Sequence, residues 1–479
     1  MTATTARTGV PPEGIPPQGA PDRGRLLLAV ILTVQFTVAL DMSVLNVALP
    51  DIRHHLGFTA TGLPWVVNAY ALAFGGLMML GGRIGDLAGR RRTLLAGLVL
   101  FGAASATGAL AQEPWQLITA RAVQGAGAAA LAPVALALIT VNYPAGPARS
   151  RALGLWGAAA AAGGAAGVLI GGLLTESAGW RSVMLINVPI TLVTLLAARK
   201  ITGDRRDGPA PRLDLGGALL VTAGTSALVL AVVRTETLSW GSSTTVATLA
   251  LAALLLTLFV GVELRTAEPL LRMRLLTRRP VVAANVFMLL LASAQFAVFY
   301  FVSLYLQQVL EYGPAATGLA FLPFCCGIVV GSVTATRSLA RLGARRVLVS
   351  AGALGAAGFG WFALVLTADG GFATAILGPS LLTSIGVGMS IVPLGTAATA
   401  DVDPREAGMA TGLINSSRQI GGSIGLAVLV TVSASVTGGH GGGADEALAA
   451  GYRAAAAVAG GLLMVATLLA LLLMPPRRP

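Results

Sequence analysis

The chain consists of long apolar stretches separated by short polar ones. A helix that crosses a bilayer needs about 20 apolar residues, and stretches of that kind recur from residue 26 to residue 474. Acidic and basic residues fall mostly between the stretches, as expected for membrane-spanning helices. The pattern predicts fourteen spans: 26–49, 62–82, 93–111, 115–139, 152–173, 182–199, 213–233, 244–264, 281–306, 315–336, 345–366, 372–397, 407–434 and 452–474.

The segments outside the spans are short, and none is long enough for a catalytic domain. Residues 1–24 are rich in proline and poor in large apolar residues, which predicts a disordered tail. This tail is too polar for a cleaved signal peptide, so we expect the first helix to insert as an uncleaved anchor. The segment EPLLRMRLLTRRP at 268–280 favours either a basic amphipathic helix on the membrane surface or a solvated loop.

Basic residues are distributed unevenly among the predicted loops. With the N-terminus in the cytoplasm, the outer loops hold only Arg53, Arg181, Arg234 and Arg453 of the 32 lysine and arginine residues. Because Lys and Arg concentrate in cytoplasmic loops, both termini are predicted to be cytoplasmic. The formal net charge of +12 has the same origin, so we do not expect a nucleic-acid partner.

Composition narrows the possible functions. Of the 479 residues, 55% are hydrophobic and 11% are charged, against about 25% charged residues in soluble domains, which predicts an all-α polytopic membrane protein. The chain has no GxxxxGK[ST] loop for ATP. Its three histidines lie in predicted outer loops without the spacing of a metal site. We therefore expect neither an enzyme nor a metal or organic cofactor.

Parts of the sequence occur twice. The stretch around Gly89 resembles the one around Gly343, the stretch around Pro133 resembles the one around Pro393, and each equivalent span is eight spans further along. This spacing fits two six-helix bundles that run the same way, with two extra helices between them. The predicted organisation is a cytoplasmic tail at 1–24, a first bundle at 25–200, two inserted helices with linkers at 201–279, a second bundle at 280–474 and a cytoplasmic tail at 475–479.

Five short motifs occur in order at matching depths. They are LDMSVLNVALP at 40–50, GRIGDLAGRRR at 82–92, LITARAVQGAGAA at 117–129, WRSVMLINVPI at 180–190 and GLINSSRQIGGSIG at 412–425. With them the chain resembles the fourteen-span drug:proton antiporters of the major facilitator superfamily. The resemblance implies the major facilitator fold, a proton as the coupling ion and export of drugs. The matched positions include Asp41, Asn46, Pro50, Gly82, Gly85, Asp86, Gly89, Arg90, Arg121, Gln124, Gly125 and Gly127.

The fifth span carries most of the antiporter motif of that family. Val168 stands where the family has a proline, and a proline there would remove one helix hydrogen bond and favour a kink. Glycines spaced four apart share one helix face and allow close packing, which fits either a sliding surface between the bundles or an ordinary seam. The motif glycines are Gly154, Gly163, Gly167, Gly171 and Gly172.

Asp41 and Arg121 are charged residues inside predicted spans one and four, at similar depths from the outer face. Ionisable groups inside the membrane are costly and usually functional. The hypothesis is that Asp41 couples transport to protons from a wet cavity between the bundles, while Arg121 modulates its charge directly or through Gln124. The alternative is a static ion pair that locks two helices together.

The loop after span two is predicted to turn at its glycines and to form a gating charge network. Its candidates are Gly82, Gly85, Asp86, Gly89 and Arg90, and purely topogenic arginines are the alternative. Polar and aromatic residues in the spans are the candidates for the substrate cavity. These are Asn46, Asn68, Tyr70, Gln124, Trp156, Asn285, Gln295, Asn415, Arg418 and Gln419.

The sequence thus predicts a monomeric, proton-coupled exporter of small amphipathic compounds in a bacterial inner membrane. Uptake or facilitated diffusion of a metabolite through the same fold is the alternative within transport. A receptor or scaffold without transport is the alternative from another class.

Overall fold

The computed structural model is helical throughout the part of the chain that it describes. Eleven of its helices are long and apolar enough to cross a membrane, and Trp65–Met78 and Gly216–Val232 are shorter apolar helices. One of the eleven, Pro314–Val365, holds two of the predicted spans. The fourteen predicted spans therefore each have a helical counterpart. The described residues are 21–59, 62–143, 147–201, 214–235, 238, 241–266, 269–400, 402, 407–439, 441 and 443–475, so most of the predicted tails and the 202–213 linker lie outside them.

Several spans are built from more than one helical segment. The sixth is α6 followed by α7, the ninth and twelfth contain π-helical turns at Tyr305–Val309 and Phe372–Leu377, and Met273–Thr277 is a 3₁₀ turn. The helices are α1 Pro21–Leu56, α2 Trp65–Ala88, α3 Arg90–Ala109, α4 Pro114–Asn142, α5 Pro147–Ala178, α6 Trp180–Leu185, α7 Asn187–Arg199, α8 Leu215–Arg234, α9 Ser243–Glu263, α10 Arg279–Leu304, α11 Pro314–Ala320, α12 Leu322–Val365, α13 Gly378–Ala398, α14 Ala407–Gly439 and α15 Ala444–Leu473.

The internal repeat is visible in the backbone. Gly89 separates α2 from α3 with φ 93°, and Gly343 interrupts α12 with φ 76°, a region that glycine enters without the clash of a Cβ atom. Pro133 lies inside α4 and Pro393 lies inside α13. We call α1–α7 the first bundle and α10–α15 the second bundle, and we name their two ends the Gly89 end and the Gly179 end after the turns found there.

The glycines of α5 form a seam within the first bundle. A Cβ atom on Gly167 would lie 2.6 Å from the carbonyl oxygen of Leu40, and one on Gly171 would lie 2.5 Å from that of Val44. Gly163 meets Phe36 of α1 in the same way. The contact between α5 and α1 is thus backbone to backbone, and the three glycines are not a sliding surface between bundles.

Of the two inserted helices, α8 packs against α2 of the first bundle and α14 of the second, and α9 packs against α8. Thr222 Oγ1 donates to the carbonyl of Gly76 on α2 at 2.9 Å. In the linker that follows α9, Leu271 and Leu275 are buried against Phe259 of α9. The amphipathic linker is therefore a short 3₁₀ turn with its apolar side on protein, rather than a helix on the membrane surface. Its Arg272 and Arg274 are exposed.

Candidate coupling site

Asp41 is held by three side chains of the first bundle. Its Oδ2 accepts from Arg121 Nη1 at 2.8 Å, and its Oδ1 accepts from Gln124 Nε2 at 2.7 Å and from Asn187 Nδ2 at 2.8 Å. Arg121 Nη1 also donates to Gln124 Oε1 at 2.6 Å. The similar depth predicted for Asp41 and Arg121 is confirmed by this direct ion pair.

Arg121 makes two further contacts, both with α2. Its Nε donates to the carbonyl of Val66 at 3.1 Å, and its guanidinium carbon lies 4.3 Å from the ring centroid of Tyr70. A cation over an aromatic face is stabilised by the ring quadrupole, most of all where water is excluded. The guanidinium thus links α4 to α1 and α2.

Asp41 faces the interior of the first bundle. The residue is 0% exposed and Arg121 is 2% exposed, so neither touches a water-filled cavity in this conformation. The expectation that Asp41 lines a wet cavity between the bundles is wrong for this arrangement. The reason is the rotation of α1, which turns the carboxylate toward α4 and α7. A different face of α1, which includes Met42, contacts the second bundle.

Ser105 and Asn187 belong to the site and were missed in the sequence. Ser105 Oγ donates to the carbonyl of Met184 at 2.9 Å and accepts from Gln124 Nε2 at 3.0 Å. Asn187 opens α7 within the WRSVMLINVPI motif. The motif could have indicated Asn187, because Asn187 is the one strongly polar residue that follows Arg181 and Ser182 in it. Ser105 lies in a run of small residues that carries no such signal.

The GRIGDLAGRRR segment is mostly helical, so only one of its glycines makes the turn. Gly82 and Gly85 lie within α2, where a Cβ atom on Gly85 would come 2.6 Å from Val134 Cγ2 of α4. Gly89 alone turns the chain, and Arg90 begins α3. The prediction that these glycines turn the chain is therefore wrong for Gly82 and Gly85, which lie inside α2, and Gly85 instead allows close packing against α4. The placement of the Asp86 side chain lies outside what the structure describes.

The substrate-cavity candidates fall into separate groups. Tyr70 and Gln124 belong to the Asp41 site. Asn285 accepts from Ser417 Oγ at 2.8 Å, and Gln419 Nε2 lies 4.0 Å from Met42 Sδ across the bundle interface. Among the described residues, these contacts place Asn285 between α10 and α14 and Gln419 at the bundle interface. Asn46, Asn68 and Gln419 are buried, and Trp156, Gln295, Asn415 and Arg418 are half-buried.

The two bundles are hydrogen-bonded to each other near the Gly179 end. Ser303 Oγ donates to the carbonyl of Asn46 at 3.0 Å, and Gln307 Nε2 donates to that of Val47 at 3.0 Å. Glu176 Oε2 of α5 accepts from the backbone N–H of Ala315 in α11 at 3.0 Å. Gly172, which follows the glycine seam in α5, lies against Pro314 of α11. These contacts close the bundles together at this end.

Comparison with known proteins decides the family. A sequence profile of the Major Facilitator Superfamily matches residues 31–426. The chain belongs to the Major Facilitator Superfamily. Relatives of this superfamily member include the cephamycin export protein CmcT of Amycolatopsis lactamdurans, 46% identical over 85% of this chain and 84% of its own length. The puromycin resistance protein pur8 of Streptomyces alboniger is 42% identical over 86% of this chain and 82% of its own length.

Solved structures agree with this superfamily fold. The crystal structure of a D-xylose–proton symporter has a TM-score of 0.68, at 13% identity, over 95% of this chain and 98% of that one. An inward-facing bacterial homolog of the human lysosomal transporter Spinster has a TM-score of 0.65, at 18% identity, over 95% of this chain and 97% of its own. Because it belongs to this family of transporters, the protein is a multi-pass membrane transporter and not an enzyme.

Proposed function

We propose that the protein exports small amphipathic, antibiotic-like compounds in exchange for protons, by alternating access. The export role is supported by the names of its relatives, which include a cephamycin export protein, a puromycin resistance protein and a tetracenomycin C resistance and export protein of Streptomyces glaucescens. The proton coupling is supported by one observation above all. A carboxylate buried in the membrane, Asp41, is balanced by a single guanidinium and two amides.

Protonation of Asp41 removes the negative half of this balance. Arg121 is then a buried cation without a counter-charge, which is strongly unfavourable. The bundle relieves this by rearranging α1 against α4 until the carboxyl or the guanidinium reaches water. Asn46 and Val47, the α1 residues bonded to the second bundle, lie about two turns of helix or less from Asp41 at 3.6 residues per turn. A movement of α1 therefore reaches the closed Gly179 end directly.

The proton gradient supplies enough free energy for this cycle. One charge that crosses a potential of about 100 mV gains about 2.3 kcal/mol, and each pH unit adds about 1.36 kcal/mol. Since about 1.4 kcal/mol corresponds to a tenfold ratio, one proton sustains a substrate gradient of roughly a hundredfold or more.

The proposed setting is a bacterial inner membrane with the Gly89 end in the cytoplasm. The arginines of the Gly89 and Gly343 turns favour this orientation by the positive-inside rule. Both termini are then cytoplasmic, and the bundle contacts near Glu176 close the outer side. The proposed transporter works as a monomer, with the bilayer and its substrate as partners.

Transport in energised vesicles tests this proposal. Accumulation of an antibiotic or dye against its gradient, with collapse on adding a protonophore, is the expected result. Movement that needs no proton gradient identifies uptake or facilitated diffusion instead, and ligand binding without flux identifies a receptor or scaffold.

Glu176→Gln is expected to loosen the closed side. A hydrogen bond to a charged acceptor exceeds a neutral one by about 1 kcal/mol, so losing the charge shifts the population toward separation of the bundles at the Gly179 end by about fivefold. Spin labels at the exposed positions Ser177 and Ala316 report the separation as a distance distribution, after replacement of Cys325 and Cys326.

Glu113→Gln is the matched control for this measurement. Glu113 is an exposed carboxylate at the start of α4, in the same bundle as Glu176. Unlike Glu176, it lies at the start of a helix of the first bundle and not against α11. The distance distribution is expected to stay as in wild type. An unchanged distribution in Glu176→Gln would show that the bond to Ala315 does not hold the bundles together.

A further inference from the structure

The two inserted helices bring a second pair of acidic groups together. Asp214 immediately precedes α8 and Glu263 ends α9, and they are 8% and 3% exposed. Asp214 Oδ2 and Glu263 Oε1 both lie against Gly217, so the two carboxyl groups are close to each other. The pair involves neither the Asp41 site nor the hydrogen bonds between the bundles, and no sequence motif connects these two acids.

Each carboxyl group uses one oxygen to bind a backbone N–H. Asp214 Oδ1 accepts from Gly217 at 2.7 Å, which caps the start of α8. Glu263 Oε2 accepts from Leu271 at 3.0 Å, which holds the linker against the end of α9. The pair thus connects α8, α9 and the linker that leads into the second bundle.

The other two oxygens face one small space. Asp214 Oδ2 and Glu263 Oε1 are buried without an N–H or hydroxyl donor among the described residues. Both lie against Gly217, where an added Cβ atom would come 2.7 Å from Asp214 Oδ2 and would also collide with Glu263 Oε1. Two carboxylates cannot hydrogen-bond to each other, and two carboxylates buried against the same glycine do not both remain ionised. One hydrogen atom between these oxygens satisfies both.

Among the described residues, no basic side chain is hydrogen-bonded to either of these two oxygens. The linker arginines Arg265, Arg272 and Arg274 are exposed. The other charged residues on the packed elements, within the described part of the chain, are Arg278 of the linker, Arg234 at the far end of α8, Arg83 and Asp86 of α2, Arg90 at the start of α3, and Arg418 of α14.

We propose that Asp214 and Glu263 share one proton and form a second proton-binding site, which fastens the 264–278 linker to the inserted helices. Loss of this proton at alkaline pH leaves two facing anions, and their repulsion releases the linker. The site is independent of the export mechanism and of Asp41. It gives the inserted helix pair a chemical role beside its packing role.

Limited trypsin digestion of the purified full-length protein tests the site, because Arg272 and Arg274 of the linker are exposed cleavage points. Cleavage there, identified by mass spectrometry, is expected to rise several-fold from neutral to alkaline pH in wild type beyond the change in trypsin's own activity. In Glu263→Gln the amide donates permanently to Asp214, so cleavage stays low and follows trypsin activity alone. Asp214→Asn is expected to behave in the same way.

Two controls make the result decisive. Glu446→Gln, an exposed acid at the start of α15, is expected to keep the wild-type pH response. The infrared band of a protonated carboxyl group at neutral pH is expected to weaken in Glu263→Gln and not in Glu446→Gln. Equal pH responses in wild type and Glu263→Gln, or fast cleavage of Glu263→Gln at neutral pH, would overturn the proposal, because the pair would then be ionised or bound to another cation.

Discussion

Asp41→Asn is expected to abolish proton-driven export. An asparagine fills the same space, but its single amide oxygen replaces only one of the two oxygens that accept from Arg121, Gln124 and Asn187. It also neither carries the charge nor takes up a proton. The change also leaves Arg121, which is 2% exposed, without its counter-charge. Breaking a buried ion pair in this way costs about 3–5 kcal/mol, so a loss of transport in this variant alone has two possible causes.

The double variant Asp41→Asn/Arg121→Gln separates these causes. Replacing both partners by neutral groups removes the isolated charge, and neutral replacement of a buried pair is often tolerated. If the pair only locks α1 to α4, the double variant regains both thermal stability and export. If Asp41 carries the proton, the double variant regains stability but exports nothing against a gradient. The measurements are Tm in detergent and substrate accumulation in vesicles with an imposed pH gradient, with downhill exchange as the test of an intact pathway.

Wild-type accumulation by the double variant would contradict the coupling role of Asp41. The same vesicles without a pH gradient give the reference for leak. Retained downhill exchange with lost accumulation is the pattern that belongs to a coupling residue, since a misfolded protein loses both.

The sequence predicted the number of spans, their order and the meeting of Asp41 with Arg121. These follow from length, apolar pattern and depth, which a helix rising about 1.5 Å per residue converts into position. It did not predict which way Asp41 faces, because depth does not fix rotation about the helix axis. Inside a helix that is apolar on all sides, no amphipathic pattern supplies that rotation.

Contacts between side chains and backbone atoms also could not be predicted from the sequence. Glu176 binds the N–H of Ala315, and every residue except proline offers such a group, so no residue type marks the partner. The α5 glycines were recognised as a packing face, yet the identity of the opposing helix depended on tertiary structure. The structure places α1 there, with Leu40 against Gly167, which ties the antiporter-motif glycines to the neighbour of Asp41.

Gly167→Val is therefore expected to disable export as severely as the loss of Asp41. A Cβ atom at this position would lie 2.6 Å from the Leu40 carbonyl oxygen and 2.9 Å from Ser43 Cβ. A backbone carbonyl cannot rotate away as a side chain does, so α1 must move from α5. Overpacking of this kind costs about 1–3 kcal/mol, and the shift of α1 moves the Asp41 carboxylate out of its 2.8 Å contact with Arg121.

Gly154→Val is the matched control, because Gly154 belongs to the same motif but has no atom within 4 Å of an added Cβ. It is expected to keep wild-type Tm and export. Gly167→Ala, with one added carbon, is expected to fall between Gly167→Val and wild type in both measurements. Export by Gly167→Val at the wild-type rate, or an equal loss in Gly154→Val, would show that close contact between α1 and α5 does not position Asp41. Comparison of the Gly154 and Gly167 variants thus tests whether the contact of Gly167 with the Leu40 carbonyl sets the distance between Asp41 and Arg121. The proposed proton coupling depends on that distance.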